Sequence, residues 1–260
     1  MSKRFFAALA VMLFGLSSSA FAAQSGWKFG IGTGPAAVAI DGTGGLNTVL
    51  GPVEVDFELS SDEVRDYTAS AFGLGGFASK GRWRILWAVG QLELAEDLSG
   101  MTAAGPPVAL EMDANFIVTL AEVTPVYLFS VGEKNQWGAL FGPRYTKNEL
   151  DGTLVVGANP PIKRNIDESW TDLLLGLTHD RVLSPKWSWN NRVDTGVGQS
   201  ESYFNATTGV SWAFAKRWMA RFNARYTTYD LETDDKGDPG WYLNDSDETA
   251  VGVNVLVVWP

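Results

Sequence analysis

An all-β fold is predicted, a transmembrane antiparallel β-barrel of about ten strands. Three features of the chain point to it: segments that alternate polar and apolar residues, a recurrent basic turn followed by Trp, and an export signal at the start. Eight or twelve strands remain open as alternatives.

The export signal comes first. Lys3 and Arg4 precede an apolar run from Phe5 to Leu16, and Ala20, Phe21, Ala22 and Ala23 supply small residues for signal peptidase. That run is shorter than the roughly 18–20 residues a spanning helix needs. The expected division is therefore a signal peptide over 1–23 and a single barrel domain over 24–260. Removing Lys3 and Arg4 takes the net charge from −10 to −12, because 1–23 holds no acid. Such acidity argues against nucleic acid as a partner. The absence of cysteine excludes thiolate chemistry and thiolate metal sites. Mean hydropathy is −0.03, which alone would suit a water-soluble domain. Barrel strands show the bilayer only every second residue, however, so their average conceals the membrane.

The strands follow from period-2 patterning. In 202–214, Phe204, Ala206, Thr208, Val210, Trp212 and Phe214 share one face, with Asn205, Thr207, Gly209 and Ser211 on the other. In 218–228, Ala220, Phe222, Ala224 and Tyr226 oppose Arg221, Asn223, Arg225 and Thr227. The segment 187–197 sets Trp187, Trp189, Val193 and Val197 against Asn190, Arg192 and Asp194, and 170–180 sets Leu173, Leu175 and Leu177 against Asp172, Gly176 and Thr178. The last strand puts Val251, Val253, Val255, Val257 and Trp259 on one side. The polar faces carry Arg, Asp, Asn, Thr and Gly, with very little Lys, which fits a crowded curved interior better than a solvated surface.

The turns set orientation. Lys80–Gly81–Arg82–Trp83, Lys134–Asn135–Gln136–Trp137, Ser184–Pro185–Lys186–Trp187 and Lys216–Arg217–Trp218 each place a base just before a Trp. Tryptophan favours the membrane–water boundary, so Trp83, Trp137, Trp187 and Trp218 are expected to form a periplasmic aromatic girdle. The opposite connections, 41–66, 149–168 and 230–248, are expected to be long acidic extracellular loops. Four periplasmic turns with both ends in the periplasm give ten strands: 26–40, 66–79, 82–95, 110–131, 136–149, 168–181, 186–198, 202–215, 217–232 and 246–259. A bulge is expected near Glu122, where alternation breaks.

The runs Val53–Glu54–Val55–Asp56–Phe57, Lys80–Gly81–Arg82–Trp83 and Gly142–Pro143–Arg144–Tyr145 occur in a familiar order. They are followed by Asp194–Thr195–Gly196–Val197–Gly198, Ser211–Trp212–Ala213–Phe214 before Arg217–Trp218, and Ala224–Arg225–Tyr226. Taken together, these resemble a large group of uncharacterised bacterial outer-membrane β-barrel proteins. The resemblance spans most of 24–260 and implies fold and location: the bacterial outer membrane, with outer-membrane lipids, lipopolysaccharide and the barrel assembly machinery as partners. It implies no activity. Many such barrels end in Phe or Trp, whereas here Pro260 follows Trp259; many also carry a longer Gly-Gly-Phe-Gly stretch where this chain has Gly196–Val197–Gly198.

Candidate chemistry is sparse. The single histidine, His179, lies on the parity of Leu173, Leu175 and Leu177 and is expected to face lipid or its interface, pointing away from Asp180. A general base must lie within about 3 Å of a hydroxyl and be held by a partner, so no catalytic residue, cofactor or metal is assigned. A barrel-embedded hydrolase ranks third among the functions weighed. The inward set is Arg84, Arg144, Asp172, Arg192, Asp194, Arg221 and Arg225. It reads either as a structural network plugging a narrow lumen or as a basic constriction for small anionic solutes. A further reading gives the acidic loops a role in binding lipopolysaccharide or partners. Glu54, Asp56 and Glu58 could take a divalent cation there, though solvated loop acids are the simpler account. Ser60–Ser61–Asp62–Glu63 has the pattern of a helix-starting capping box.

Overall fold

The computed structural model describes residues 26–48, 51–101, 109–156 and 162–260; the expected signal peptide lies outside them. Twelve strands and one helix are present among these residues: β1 (Lys28–Thr33), β2 (Ala36–Thr48), β3 (Gly51–Leu59), α1 (Ser61–Tyr67), β4 (Thr68–Lys80), β5 (Trp83–Met101), β6 (Ala109–Val131), β7 (Asn135–Val156), β8 (Ile162–Ser184), β9 (Trp187–Gly198), β10 (Ser202–Ala215), β11 (Trp218–Thr233) and β12 (Tyr242–Trp259).

Ten of these strands close on themselves. The sheet runs β1, β4, β5 and onward in chain order to β12, and β12 returns to β1. The closing pair is antiparallel, from Phe29↔Trp259 to Thr33↔Val255, while the other edge of β1 pairs with β4 from Lys28↔Ser79 to Gly32↔Gly75. Strand number and antiparallel closure are therefore as expected. β2 and β3 stand outside the ring.

The first strand is where expectation and structure part. A single segment over 26–40 was expected, but the chain breaks at Gly34–Pro35 and resumes as β2, still antiparallel to β12 from Ala36↔Gly252 to Leu46↔Tyr242. Proline has no N–H to give the ladder, so the break falls where the ladder loses a donor. The Pro35 carbonyl nonetheless accepts from Val253 N at 3.0 Å, which carries the pairing across. β3 folds back on β2 from Ile40↔Leu59 to Thr48↔Gly51.

Helix α1 follows. Ser60 is its N-cap: Glu63 N–H donates to Ser60 Oγ (3.4 Å) and Ser60 N–H donates to Glu63 Oε2 (2.9 Å), the reciprocal pair that the sequence pattern predicts. The helix buries one residue, Val64, which packs with Val38, Leu92, Leu94 and Ala250.

The long acidic loops are largely not loops. β7 continues to Val156 and β8 begins at Ile162, so most of 149–168 is strand; β12 begins at Tyr242, and 41–66 is a hairpin plus α1. β8 has 23 residues, about twice the 9–11 that cross a bilayer. Pairing continues beyond the apolar stretch because polar side chains bridge strands there. Lys147 Nζ, for instance, lies 2.9 Å from Glu149 and 3.0 Å from Asp167 on the neighbouring strand. Polar residues on both faces hide strands from a search for apolar alternation.

The bulge expected near Glu122 is also displaced. Pairing of β6 with β7 lapses between Glu122↔Arg144 and Val126↔Leu140, with three residues on each side, so the register is kept. Pro125 and Pro143, both without an N–H, sit in that lapse. The register shift lies further on, between Leu128 and Ser130. Glu122, Thr124, Val126 and Leu128 are all buried on one face, so alternation holds from Glu122 to Leu128. It looked broken because Glu122 and Thr124 stand on an inward parity otherwise held by Phe116, Val118, Leu120, Val126 and Leu128.

Closure depends on backbones approaching closely at the first strand. A Cβ on Gly34 would fall 1.9 Å from the Val253 carbonyl oxygen, and backbone cannot swing aside as a side-chain tip can. Gly34→Ala is expected to push β1 off β12 and cost about 1–3 kcal/mol, as overpacking does. A lower urea midpoint for the folded, heat-modifiable band on a gel would report it; an unchanged midpoint would count against tight closure at this seam.

Candidate functional site

The ring leaves two faces, and they differ in kind. Outward positions hold exposed apolar side chains, among them Phe141, Leu175, Val193, Phe222 and Val255. Inward positions are buried and mixed, and three tiers can be distinguished among the described residues.

At the short-connection end the inner face is mostly apolar. Phe77, Leu86, Val126, Leu128, Leu140, Met219 and Leu256 form one cluster, which reaches up to Leu174 and Tyr203. Beside it Arg84 donates to Asp180 and to Gln136, Asn190 Nδ2 donates to Asp180 Oδ1 at 2.8 Å, and Ser211 Oγ donates to Asn190 at 2.6 Å.

The middle tier is charged. Arg192 Nε donates to Asp194 Oδ2 at 2.6 Å, and its Nη1 donates to Glu122 Oε1 at 2.7 Å. Asn205 Nδ2 adds a 2.8 Å bond to Asp194. Arg225 donates to Glu248. The Arg144 guanidinium sits over two rings, 4.4 Å from the centroid of Tyr203 and 4.9 Å from that of Tyr229, a stacking that stabilises a cation removed from water. Arg221 is fully buried, within electrostatic reach of Asp180.

At the long-extension end the tier is apolar again. Trp170, Leu231 and Tyr242 cluster, and Asn148 Nδ2 donates to Tyr242 Oη at 3.0 Å across the mouth. Asn47 Nδ2 donates to the carbonyls of Gly237 and Asp238, and Lys236 reaches Glu54 at 2.6 Å, tying the β2–β3 hairpin to the β11–β12 connection.

All seven residues singled out for the lumen, Arg84, Arg144, Asp172, Arg192, Asp194, Arg221 and Arg225, are buried. Arg192 and Asp194 meet directly. Asp172 serves another purpose: its Oδ1 accepts from the backbone N–H groups of Gln199 and Ser200, both at 3.0 Å, and so clamps the β9–β10 connection. Three carboxylates escaped the sequence reading. Asp180 shares the parity of Asp172 and Thr178 but was weighed only as a partner for His179. Glu122 looked like a fault in alternation, and Glu248 fell inside an expected loop. With them four buried carboxylates, Glu122, Asp172, Asp180 and Asp194, and half-buried Glu248 stand among the five buried guanidiniums.

Trp83, Trp187 and Trp218 open β5, β9 and β11, and Trp137 is third in β7; all four are exposed at the short-connection end. Aromatic neighbours join them across strands: Trp83 with Tyr127 (5.0 Å), Trp187 with Trp212 (5.6 Å) and, at the closing pair, Phe29 with Trp259 (6.3 Å). His179 belongs to the same belt, stacked on Trp137 at 4.3 Å. Its ring nitrogens face Asn135 Oδ1 at 3.3 Å and Asn191 Nδ2 at 3.4 Å. Neither is a nucleophile.

Glu54 is engaged by Lys236, and Asp56 accepts from Thr43 Oγ1 at 2.7 Å. Among the described residues, no group of three or more His, Asp or Glu side chains is placed to hold a metal ion. Above the apolar band, burial and then Asp234 and Asp167 raise the Glu168 carboxyl, and burial and then Asp245 and Glu232 raise that of Asp230. Glu63 moves the other way, lowered by the hydroxyl and backbone N–H of Ser60.

No protein-family model matches the chain, and no curated protein sequence does. Solved structures share its fold. The outer membrane protease OmpT from Escherichia coli superposes with a TM-score of 0.59 at 8% identity, covering 90% of this chain and 96% of that one. The translocator domain of the autotransporter NalP from Neisseria meningitidis gives a TM-score of 0.44 at 14% identity, over 89% and 88%. The attachment invasion locus protein Ail of Yersinia pestis gives 0.33 at 8%, over 89% and 98%. The chain thus resembles bacterial outer-membrane β-barrel proteins in fold.

Two measurements follow from this geometry. Arg192→Met strands Glu122 and Asp194 as buried unpaired charges and is expected to cost about 3–5 kcal/mol; adding Glu122→Gln and Asp194→Asn should recover most of it, and urea unfolding in lipid vesicles reads both. Lowering pH through the carboxylate range should have opposite local effects. Glu168 and Asp230 hold protons more tightly folded than unfolded, so amides around them gain protection as pH falls. Glu63 holds its proton less tightly, so the α1 amides lose protection over the same window. Hydrogen exchange corrected for intrinsic rates separates the two, and a uniform response would refute the assignment.

Proposed function

We propose that this chain is an integral β-barrel protein of the bacterial outer membrane, exported by a signal peptide over 1–23 and inserted with its short basic turns in the periplasm. Trp83, Trp137, Trp187 and Trp218 act as its periplasmic girdle, and the acidic strand extensions project from the cell surface. The barrel is a scaffold whose bore is plugged by its own side chains. The observation that carries this reading is the ion-paired interior, with Arg192 and Arg221 fully buried between two apolar tiers. A selective constriction needs uncompensated field, and balanced pairs supply little.

Within that reading the surface extensions are the working part, binding lipopolysaccharide or protein partners, and β12 with the closing strand β1 is what the barrel assembly machinery handles. Catalysis has no support in the placement of His179, whose neighbours are two indoles and two amides. A narrow route for small solutes is the second reading. It is favoured by buried polar atoms without protein partners on Thr124, Thr178, Ser188 and Asn254, a set that suits a hydrated thread.

Planar-bilayer recording decides between them. The purified barrel is expected to show no ion conductance, and Arg192→Ala is expected to open small, irregular steps by removing the bolt. Steady conductance in the unaltered chain would overturn the plugged scaffold in favour of the channel.

A further inference from the structure

The outer wall carries one polar interruption. Between its aromatic rims the outward face is apolar on β5, β6, β7, β11 and β12. Thr33 and Thr195 also face out, but their hydroxyls donate to the carbonyls of Gly73 (2.7 Å) and Tyr203 (2.8 Å), so they ask nothing of the lipid. On β8 to β10 the pattern fails. Trp137, His179, Asn191 and Thr208 pair in one row, and Asn135, Arg181 and Trp189 in the next, so each row shares the outward face.

The inner part of this patch is internally bonded. Thr208 Oγ1 donates to Asn191 Oδ1 at 2.7 Å, Trp189 Nε1 donates to Thr208 Oγ1 at 2.9 Å, and Asn191 and Asn135 flank the His179 ring. Its rim is not. Arg181 is exposed and makes no ion pair among the described residues, and Lys134 and Lys186 are exposed in the two adjoining turns. The turns at this end hold Arg82, Lys134, Lys186, Lys216 and Arg217 against a single acid, Glu133 beside Lys134. In the girdle belt, where polar groups cost a barrel little, an exposed guanidinium between two lysines faces the headgroup region.

The geometry points to a phospholipid site on the outer wall: Arg181, with Lys134 and Lys186, takes the phosphate of an inner-leaflet phospholipid, and Asn135, its oxygen held by His179 that Asn191 in turn flanks, gives its amide N–H to a glycerol ester oxygen. The charges sit at the rim where a headgroup phosphate lies. Asn135 shares the row of Arg181, while His179, which it flanks, and Asn191 sit one row deeper, where ester carbonyls lie, and exposed Leu175, Leu177 and Val193 continue the track for the acyl chains. A guanidinium is suited to phosphate because it can donate two parallel hydrogen bonds. The assignment to the inner leaflet rests on the periplasmic placement of the short turns proposed above.

Native mass spectrometry of the folded mature chain in detergent tests it, with phosphatidylglycerol, diacylglycerol of the same acyl chains, and inorganic phosphate as probes. One phosphatidylglycerol is expected to survive activation that strips diacylglycerol. Arg181→Ala, and separately His179→Phe with Asn191→Val, should each lower its retention at least tenfold. The second variant only makes the wall more apolar, so it carries the test should the first fold poorly, and the heat-modifiable band reports folding of both. Equal retention of diacylglycerol, unchanged retention in the variants, or full displacement by inorganic phosphate would overturn the site. A two-chain species lost in the same variants would overturn it too, assigning the patch to a second copy. Failure of the outer-membrane reading looks different: the mature chain would stay soluble without detergent.

Discussion

Every feature of this molecule follows from the need to pair the backbone of an extended chain in a solvent that offers no hydrogen bonds. Only a sheet whose last strand meets its first leaves no edge in hydrocarbon. The pairing of β1 with β12 is that closure, and it is made by one of the shortest strands in the structure, six residues long. β12, with 18 residues, is long enough to hold β1 and then β2 in succession. The interruption at Gly34–Pro35 therefore does not open the ring. It releases the upper part of the first strand to form a hairpin with β3, and α1 packs Val64 against Val38 of β2, Leu92 and Leu94 of β5 and Ala250 of β12.

Closure fixes parity, and parity divides the labour of the side chains. A ten-stranded ring is narrow enough for side chains to meet across it, so the interior must be filled. Filling it with hydrocarbon alone would make the inner and outer faces of each strand alike and weaken the specification of register. Charge resolves this. Arg192 can satisfy Glu122 on β6 and Asp194 on its own strand only if β6 through β9 stand in one register. Such pairs add little net stability, since desolvating them offsets most of the attraction, but wrong registers leave charges stranded. The interior network is better understood as a determinant of alignment than as glue.

What could be read from the chain tracks how far local pattern determines structure. Strands β8 to β12 were legible because their outward residues are apolar at every second position and their turns carry Trp after a base. Ring number followed from the turns alone. The extensions were not legible, since outside the bilayer both faces of a strand meet water and alternation carries no signal; Lys147, Glu149 and Asp167 look like loop residues until they are seen bridging strands. The interior was half legible. Arg192 and Asp194 lie two residues apart and Arg225 meets Glu248 across one hairpin, but Arg84 meets Asp180 and Arg192 meets Glu122 only because the ring brings distant strands together. No window of sequence contains those pairs. Helix α1 was foreshadowed because its capping box is local, with both halves three residues apart.

The plugged scaffold proposed above shifts the search for function to surfaces. Apolar tiers stand at both ends of the bore, with ion-paired charge between them. The two rims, by contrast, are sharply unlike: the short turns carry bases with Glu133 as their one acid, while the extensions gather acids such as Asp230, Glu232, Asp245 and Asp247. An asymmetric wall is the arrangement expected when the membrane is what a protein holds to, and the chemistry it offers lies on either side. The outward patch of Arg181, His179 and Asn191 fits that logic. It sets polar groups at the girdle, on the one face that no internal contact requires to be polar.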